Sequence, residues 1–271
     1  MRWLLIPIVA GLLLKLLVVM VEPRLVFFPS RGEDRTPADH GIRHTAIRIA
    51  TTDGEQLAAW LLEPEQPIAD VVYFHGNGGN LSVWLPVLAG LHAKGFRVLA
   101  VDYRGYGLST GKPSERGLYR DAEAVVRYAA RQRQESGARR PLIFWGRSLG
   151  GPVAASATRV VRPDGLILES TFPDKAAVVR SNPLLRVLNV LSRYQFPTVD
   201  ILADFSRPVL VIHGTADSVV PYPLGVHLYE QLRAPKQLLE IPGADHNDLI
   251  APENVPYWTR VRQFIDGLPT S

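Results

Sequence analysis

Cysteine is absent from this 271-residue chain. That absence excludes disulfides, a thiol nucleophile, a thiolate metal site and a lipidated N-terminal cysteine, and it is compatible with either redox compartment. Internal repeats and low-complexity runs are also missing, and the length suits one α/β domain with a full core. The formal charge is +4, with a local cluster at Arg131, Arg133, Arg139 and Arg140. No aromatic stacking platform or helix-turn-helix pattern accompanies that cluster, so it reads as a solvated helix end and loop and not as a nucleic-acid surface. Attraction to anionic lipid is a secondary reading. A glycine loop at 76–79 lacks the following Lys-Ser/Thr pair, which argues against a phosphate loop.

What is present begins with a strand, a turn and a helix. Pro141-Leu142-Ile143-Phe144-Trp145 is a short apolar run that reads as a buried strand. Gly146-Arg147-Ser148-Leu149-Gly150 follows, and Gly151-Pro152-Val153-Ala154 reads as the first turn of a helix, where proline is tolerated. A serine on a sharp strand-to-helix turn, flanked by glycines that relieve crowding, is a nucleophile elbow. A serine hydroxyl needs a histidine to take its proton, and that histidine needs a carboxylate to hold its tautomer. Both occur downstream in the order Ser, acid, His. Asp217 lies just past the strand Pro208-Val209-Leu210-Val211-Ile212, and His246 follows the strand at 237–242 and a glycine turn. Asp245 and Asp248 are rivals for the acid role; Asp217 is preferred because adjacent side chains in a loop rarely face one another.

An oxyanion hole needs two backbone N–H groups where negative charge develops. One is expected from Leu149, next after the nucleophile. The other is expected from the loop after strand 70–74, His75-Gly76-Asn77-Gly78-Gly79-Asn80, with Asn77 the first choice and Gly78 the second. Asp102 and Arg104, in the turn after strand 96–101, read as loop anchors. Ser109 lacks the strand-turn-helix setting and is no rival nucleophile.

The ordered set His75-Gly76-Asn77, Asp102-Tyr103-Arg104-Gly105-Tyr106-Gly107, Gly146-Arg147-Ser148-Leu149-Gly150, His213-Gly214…Asp217 and His246-Asn247-Asp248 resembles the Bem46-like branch of the α/β-hydrolases. The resemblance runs from about residue 25 to 264. It implies a serine hydrolase acting on esters or thioesters, commonly membrane-associated, and all three triad positions are intact.

Residues 3–21 are almost wholly apolar, and about 19 residues at 1.5 Å each span roughly 28 Å, close to the hydrocarbon thickness of a bilayer. Lys15 costs about 2.5–3.5 kcal/mol at mid-bilayer, but it lies about two turns from the end and can snorkel. The stretch Val19-Met20-Val21-Glu22-Pro23 has no A-x-A-like cleavage site, and the run is long for a signal peptide. The expectation is a single-pass N-terminal anchor over residues 1–24, with an interfacial helix as the alternative. Arg2 and the amino terminus flank one end, and Arg24, Arg31 and Arg35 the other. The charge count and the short N-tail therefore point to opposite orientations.

The expected fold is an α/β-hydrolase domain over 25–271: a mostly parallel, twisted sheet of about eight strands with helices on both faces. A hairpin with a D-G turn (42–50, 51–54 and 56–62) opens the sheet. Helices are expected at 81–94, 114–135, 149–160, 223–232 and 254–266. A short cap insertion at 171–207 carries Leu184, Leu185, Val187, Leu188, Val190, Leu191, Tyr194 and Phe196. It forms either an apolar wall for an acyl chain or the membrane, or a helix packed on the core.

The function expected is a membrane-anchored serine hydrolase cleaving carboxylic esters or thioesters of lipids or lipidated substrates. Ser148, Asp217 and His246 form its triad, and the Asn77 and Leu149 amides its oxyanion hole. No metal, organic cofactor or nucleic-acid partner is implied. A serine peptidase on the same fold and a non-enzymatic membrane-tethered module are the alternatives.

Overall fold

The computed structural model describes residues 15, 16, 18, 20–181, 192–250 and 256–269. Most of the apolar run that carries the expected membrane anchor lies outside these residues. Among the described residues no helix is long and apolar enough to cross a membrane. The backbone is helical at 20–26 and then enters a two-residue strand, β1 (Phe28–Pro29). The expected hairpin follows as β2 (His44–Ala50) and β3 (Gln56–Leu62), paired antiparallel from His44↔Leu62 to Ala50↔Gln56. Gly54 takes the turn at φ +90°, a conformation glycine adopts without steric cost.

The strands and helices then alternate: β4 (Ala69–Phe74), β5 (Gly78–Gly79), α1 (Leu81–Ala93), β6 (Phe96–Val101), α2 (Glu115–Ser136), β7 (Leu142–Arg147), α3 (Gly150–Ala157) and β8 (Gly165–Glu169). After α4 (Lys175–Ser181) and α5 (Thr198–Ile201) come β9 (Val209–Gly214), α6 (Tyr222–Gln231), β10 (Lys236–Ile241) and α7 (Pro256–Asp266). Helix ends follow local chemistry. Asn80 caps α1 by accepting from Ser82 N at 3.0 Å. Ser114 caps α2 through Gly117 N at 3.1 Å, and Gly137 ends that helix at φ +63°. Such caps satisfy amide groups that the helix itself leaves unpaired.

Eight strands form one sheet in the order β10-β9-β8-β7-β4-β6-β3-β2. β2 and β3 pair antiparallel, as do β3 and β6, and the other neighbours are parallel. The central strands are buried along their length and mostly apolar because both faces are covered. On β4, Val72 and Phe74 pack on one side with Leu118 and Val125 of α2 and Val153 of α3. Val71 and Tyr73 pack on the other with Leu85 and Leu88 of α1 and Val261 and Phe264 of α7. The chain leaves β4 toward β6 on one flank and later returns to β7 on the other. The switch point therefore falls between β4 and β7, where open parallel sheets place their working sites.

One expectation about a solvated segment changes, and one open alternative is decided for two residues. Arg133 and Arg140 are not a solvated cluster: with Arg97 they surround Asp70, at 2.5 Å, 2.9 Å and 3.4 Å. Asp70 lies at the start of the central strand with a side chain only 6% exposed, so its charge needs cationic partners. In the cap region, Tyr194 and Phe196 are buried with Phe27 of the N-terminal segment, at ring-centroid distances of 5.3 and 6.3 Å. They are part of the core and not an open wall. The other six apolar cap residues lie outside the described residues.

Asp70→Asn should therefore lower the unfolding free energy by about 3 kcal/mol, because it leaves three guanidinium groups facing a neutral amide. Urea denaturation of wild type and variant at pH 7 measures this; a change below about 0.5 kcal/mol would show that the cluster is solvated after all.

Candidate active site

Loops from the carboxyl ends of β4, β7, β9 and β10 meet at a cavity of about 940 Å³. Ser148 is placed by the sharpest of them. It sits between β7 and α3 at φ +52°, a left-handed conformation uncommon for a residue with a side chain. The surroundings hold it there. Ser148 N donates to Glu169 O at 2.8 Å. Its carbonyl accepts from Gly151 N at 2.9 Å and from Thr171 Oγ1 at 2.7 Å. The flanking glycines are required by close approach. A Cβ at Gly146 would meet Gly150 O at 2.2 Å, and one at Gly150 would meet Phe74 O at 2.0 Å. Helix α3 thus starts hard against the end of β4, and the chain can turn that tightly only by putting Ser148 in the strained region.

Asp217 and His246 come together from β9 and β10. His246 Nδ1 lies 2.8 Å from Asp217 Oδ2. A carboxylate only accepts, so this contact places the proton on Nδ1 and leaves Nε2 with a free lone pair. Asp217 Oδ1 accepts from the Val219 and Val220 amides at 2.9 and 2.7 Å. Burial pushes the Asp217 carboxyl up, but hydrogen bonds from His213, His246 and the Val220 amide leave it below the ordinary carboxylate range. Ser148 and His246 both line the cavity. No hydrogen bond joins Ser148 Oγ to His246 among the described residues, and such bonds often tighten only when substrate is bound.

The rivals fall elsewhere. Asp245 accepts from Ser218 N and Oγ, at 2.7 and 2.9 Å, and from His246 N at 2.7 Å, so it fastens the loop and does not touch the imidazole. Asp248 lines the cavity, while the acid at Nδ1 is Asp217. Gly76, Asn77 and Gly78 line the cavity as well. Among the described residues neither the Asn77 nor the Leu149 amide donates a hydrogen bond. Gly78 is tied into β5, and its carbonyl accepts from Trp84 Nε1 at 2.9 Å. Asp102 and Arg104 are anchors, each to a different partner. Asp102 accepts from Leu81 N at 3.0 Å, while Arg104 pairs with Asp121 and Asp53, both at 2.8 Å. Ser109 is buried and donates to Asp102 O at 2.6 Å.

Three features of the site escape sequence reasoning. His213 Nε2 sits 3.3 Å from Asp217 Oδ2 and 2.8 Å from Val220 O, so two imidazoles share one carboxylate. A Cβ at Gly225 of α6 would meet His213 Nδ1 at 2.1 Å, so that glycine was the only local trace of the packing. Arg147, 2% exposed, donates to His246 O at 2.6 Å and pairs with Glu169 at 3.3 Å. It ties the loop bearing His246 to the residue before Ser148. Finally, Phe28 of the N-terminal segment lines the cavity. No local pattern announced that contact, because 49 residues separate it from the loop it joins.

Comparison with known proteins agrees with this architecture. A family model described as Hydrolase_4, serine aminopeptidase S33, matches residues 65–204. The chain is 30% identical to alpha/beta hydrolase domain-containing protein WAV2 of Arabidopsis thaliana, over 96% of this chain and 91% of that protein. It is 31% identical to uncharacterized membrane protein YNL320W of Saccharomyces cerevisiae, over 87% and 84% of the two. The Pyrococcus furiosus esterase Pf2001 superposes with a TM-score of 0.73 over 90% of this chain and 98% of that one. At 20% identity that is a likeness of fold. The fold and these relatives define the class, an α/β-hydrolase. Within it, the chain belongs to the Hydrolase_4 family, described as serine aminopeptidase S33.

The Asp217 carboxyl binds fewer protons folded than unfolded, so its contribution to stability is in place above the ordinary carboxylate range and is lost as pH falls below it. Asp217→Asn should be about 2 kcal/mol less stable than wild type at pH 7, and that gap should narrow steadily as the pH falls below the ordinary carboxylate range. Urea titrations across this range provide the measurement; a gap that widens with acid would reverse the assignment.

Proposed function

We propose that this chain is a serine hydrolase that cleaves carboxylic ester or thioester bonds through Ser148, His246 and Asp217. The observation that carries the reading is the pairing of a strained, cavity-facing serine with an imidazole whose Nδ1 is held by a buried carboxylate. Ser148 Oγ attacks the acyl carbon while His246 Nε2 takes its proton. The tetrahedral oxyanion is held by the Asn77 and Leu149 amides. On collapse, the proton passes from His246 to the leaving alkoxide or thiolate, and an acyl-serine remains. Water, deprotonated by His246, attacks that acyl-serine, and the proton returns to Ser148 as the acid departs. Asp217 keeps the imidazole in its working tautomer and stabilises its cation. Within the superfamily, the ordered motifs resemble Bem46-like proteins.

An acylated substrate fits the cavity. Phe28, Val83, Trp84, Val87, Val219 and Ile250 contribute apolar surface to it, and Phe28, Val83 and Val219 are more than half exposed. The apolar run at 3–21 supports a membrane anchor; Met20 near its end and Leu25, between it and Phe28, are also more than half exposed. The yeast relative's description as a membrane protein points the same way. We therefore read the substrate as a lipid or lipidated ester met at a bilayer surface, with residues 171–207 as a cap beside the site.

The second reading is a serine peptidase, favoured by the family's description. An aminopeptidase needs an anion for the substrate ammonium. Asp248 is the carboxylate among the cavity-lining residues, which also include the cationic Arg147. Turnover of matched ester and aminoacyl-amide substrates separates the two: the ester reading expects the amide to be at least about 10²-fold slower, and faster amide turnover would overturn it.

The reading as a whole is tested with a fluorophosphonate probe on detergent-solubilised protein. Wild type should label, whereas Ser148→Ala and His246→Ala should not, and either variant should lose about 10⁴-fold or more in kcat. Folded wild type that does not label would leave the tethered, non-enzymatic module as the better account.

A further inference from the structure

The oxyanion loop is held from outside the α/β core. Strand β1 runs parallel to β5, with Phe28 opposite Gly78 and Pro29 opposite Gly79. Ser30 N donates to Gly79 O at 2.9 Å, and Gly107 N donates to Ser30 O at 2.8 Å. The side chain of Asn77 adds a clamp. Its Nδ2 donates to Val26 O at 2.6 Å, while its Oδ1 accepts from Tyr106 Oη at 3.0 Å and from Phe28 N at 3.4 Å. The clamped segment is itself anchored at both ends. Phe27 is buried against Tyr194 and Phe196, and Arg31 donates to Ser109 O at 2.6 Å and Gly111 O at 2.9 Å.

The residue whose amide is assigned to the oxyanion thus spends its side chain on Tyr106 and on a segment that follows the apolar N-terminal run. A loop with three glycines among residues 76–79 gains little rigidity from its own backbone. An oxyanion donor, however, must be placed within a few tenths of an ångström, since it acts only when its direction is set before charge develops. The clamp supplies what the glycines do not.

We propose that the Asn77 side chain and Tyr106 are positioning residues that lock the oxyanion amide of Asn77 to the segment at 26–30, making that N-terminal segment a working part of the active site. This rests on the serine-hydrolase reading above. Asn77→Ala keeps the backbone N–H but removes the clamp, and Tyr106→Phe removes a single hydroxyl from it. An interaction that matters only in the transition state lowers kcat and leaves KM in place.

The test is steady-state hydrolysis of a p-nitrophenyl acyl ester by full-length, detergent-solubilised protein, with thermal midpoints measured in parallel. Asn77→Ala should lose about 10- to 100-fold in kcat with KM within about twofold, less than the 10²–10³-fold that follows outright removal of an oxyanion donor. Tyr106→Phe should lose about 3- to 10-fold, and the double variant should be no slower than Asn77→Ala, because both act through one clamp. If Asn77→Ala does not fold, the Tyr106→Phe split between kcat and KM still decides. Unchanged kcat in both variants with lowered thermal midpoints would overturn the proposal and leave the clamp a purely structural tie. A raised KM at unchanged kcat would overturn it too, pointing to a displaced Phe28 wall. Hydrolysis that persists in Ser148→Ala marks a different failure, that of the serine-hydrolase reading itself.

Discussion

The approach of α3 to the end of β4 is the constraint from which the site follows. With Gly150 set against the Phe74 carbonyl, and Gly146 against Gly150, no room exists for a gentler turn between β7 and α3. Ser148 takes the strain at φ +52° and stands at the cavity. The strain persists because hydrogen bonds from the neighbouring strand and helix over-determine the turn. The same switch point brings the loop after β4 beside it, so Ser148 and the loop at 75–80 share one origin in the sheet's topology.

Buried charge is arranged around that turn as ties between loops. Arg147 spans from Glu169 at the end of β8 to the His246 carbonyl after β10. Asp217 gathers two imidazoles and two amides. Arg104 holds the loop after β6 to α2 through Asp121 and to the hairpin turn through Asp53. Each charge faces several partners, which offsets much of the cost of burying it. Loops that would otherwise be mobile are thereby fastened to rigid strands, as a site demanding sub-ångström placement requires.

The N-terminal segment extends that scheme past the conventional boundary of the domain. Phe27 enters the core, Phe28 faces the cavity, and the backbone of 28–30 pairs with the oxyanion loop. A chain tethered at its amino end would hold its reaction site close to the tether, with the exposed side chains of Phe28, Val83 and Val219 at the mouth. Under the proposed membrane anchoring, that placement would suit substrates that reside in a bilayer.

Strand and helix order, the elbow and the spacing of Ser148, Asp217 and His246 were legible in the sequence, because each depends on short-range signals. Period-two and unbroken apolar runs, glycines at tight turns and polar residues just past strand ends are local facts. What local chemistry does not encode is which distant groups meet. The arginines around Asp70 looked like a solvated cluster because they lie far along the chain from the carboxylate they surround. Tyr194 and Phe196 could be read as an open wall or as core, and nothing nearby decides it, because Phe27, which covers them, comes from the far end of the chain. His213 on Asp217, Arg147 on His246 and the segment at 26–30 on Asn77 depend likewise on the stacking of strands and loops from separate parts of the chain. Sequence alone therefore determined the fold class and the candidate reacting groups. Only the tertiary structure decided what positions them, since a contact between remote residues exists only once the sheet has brought them together.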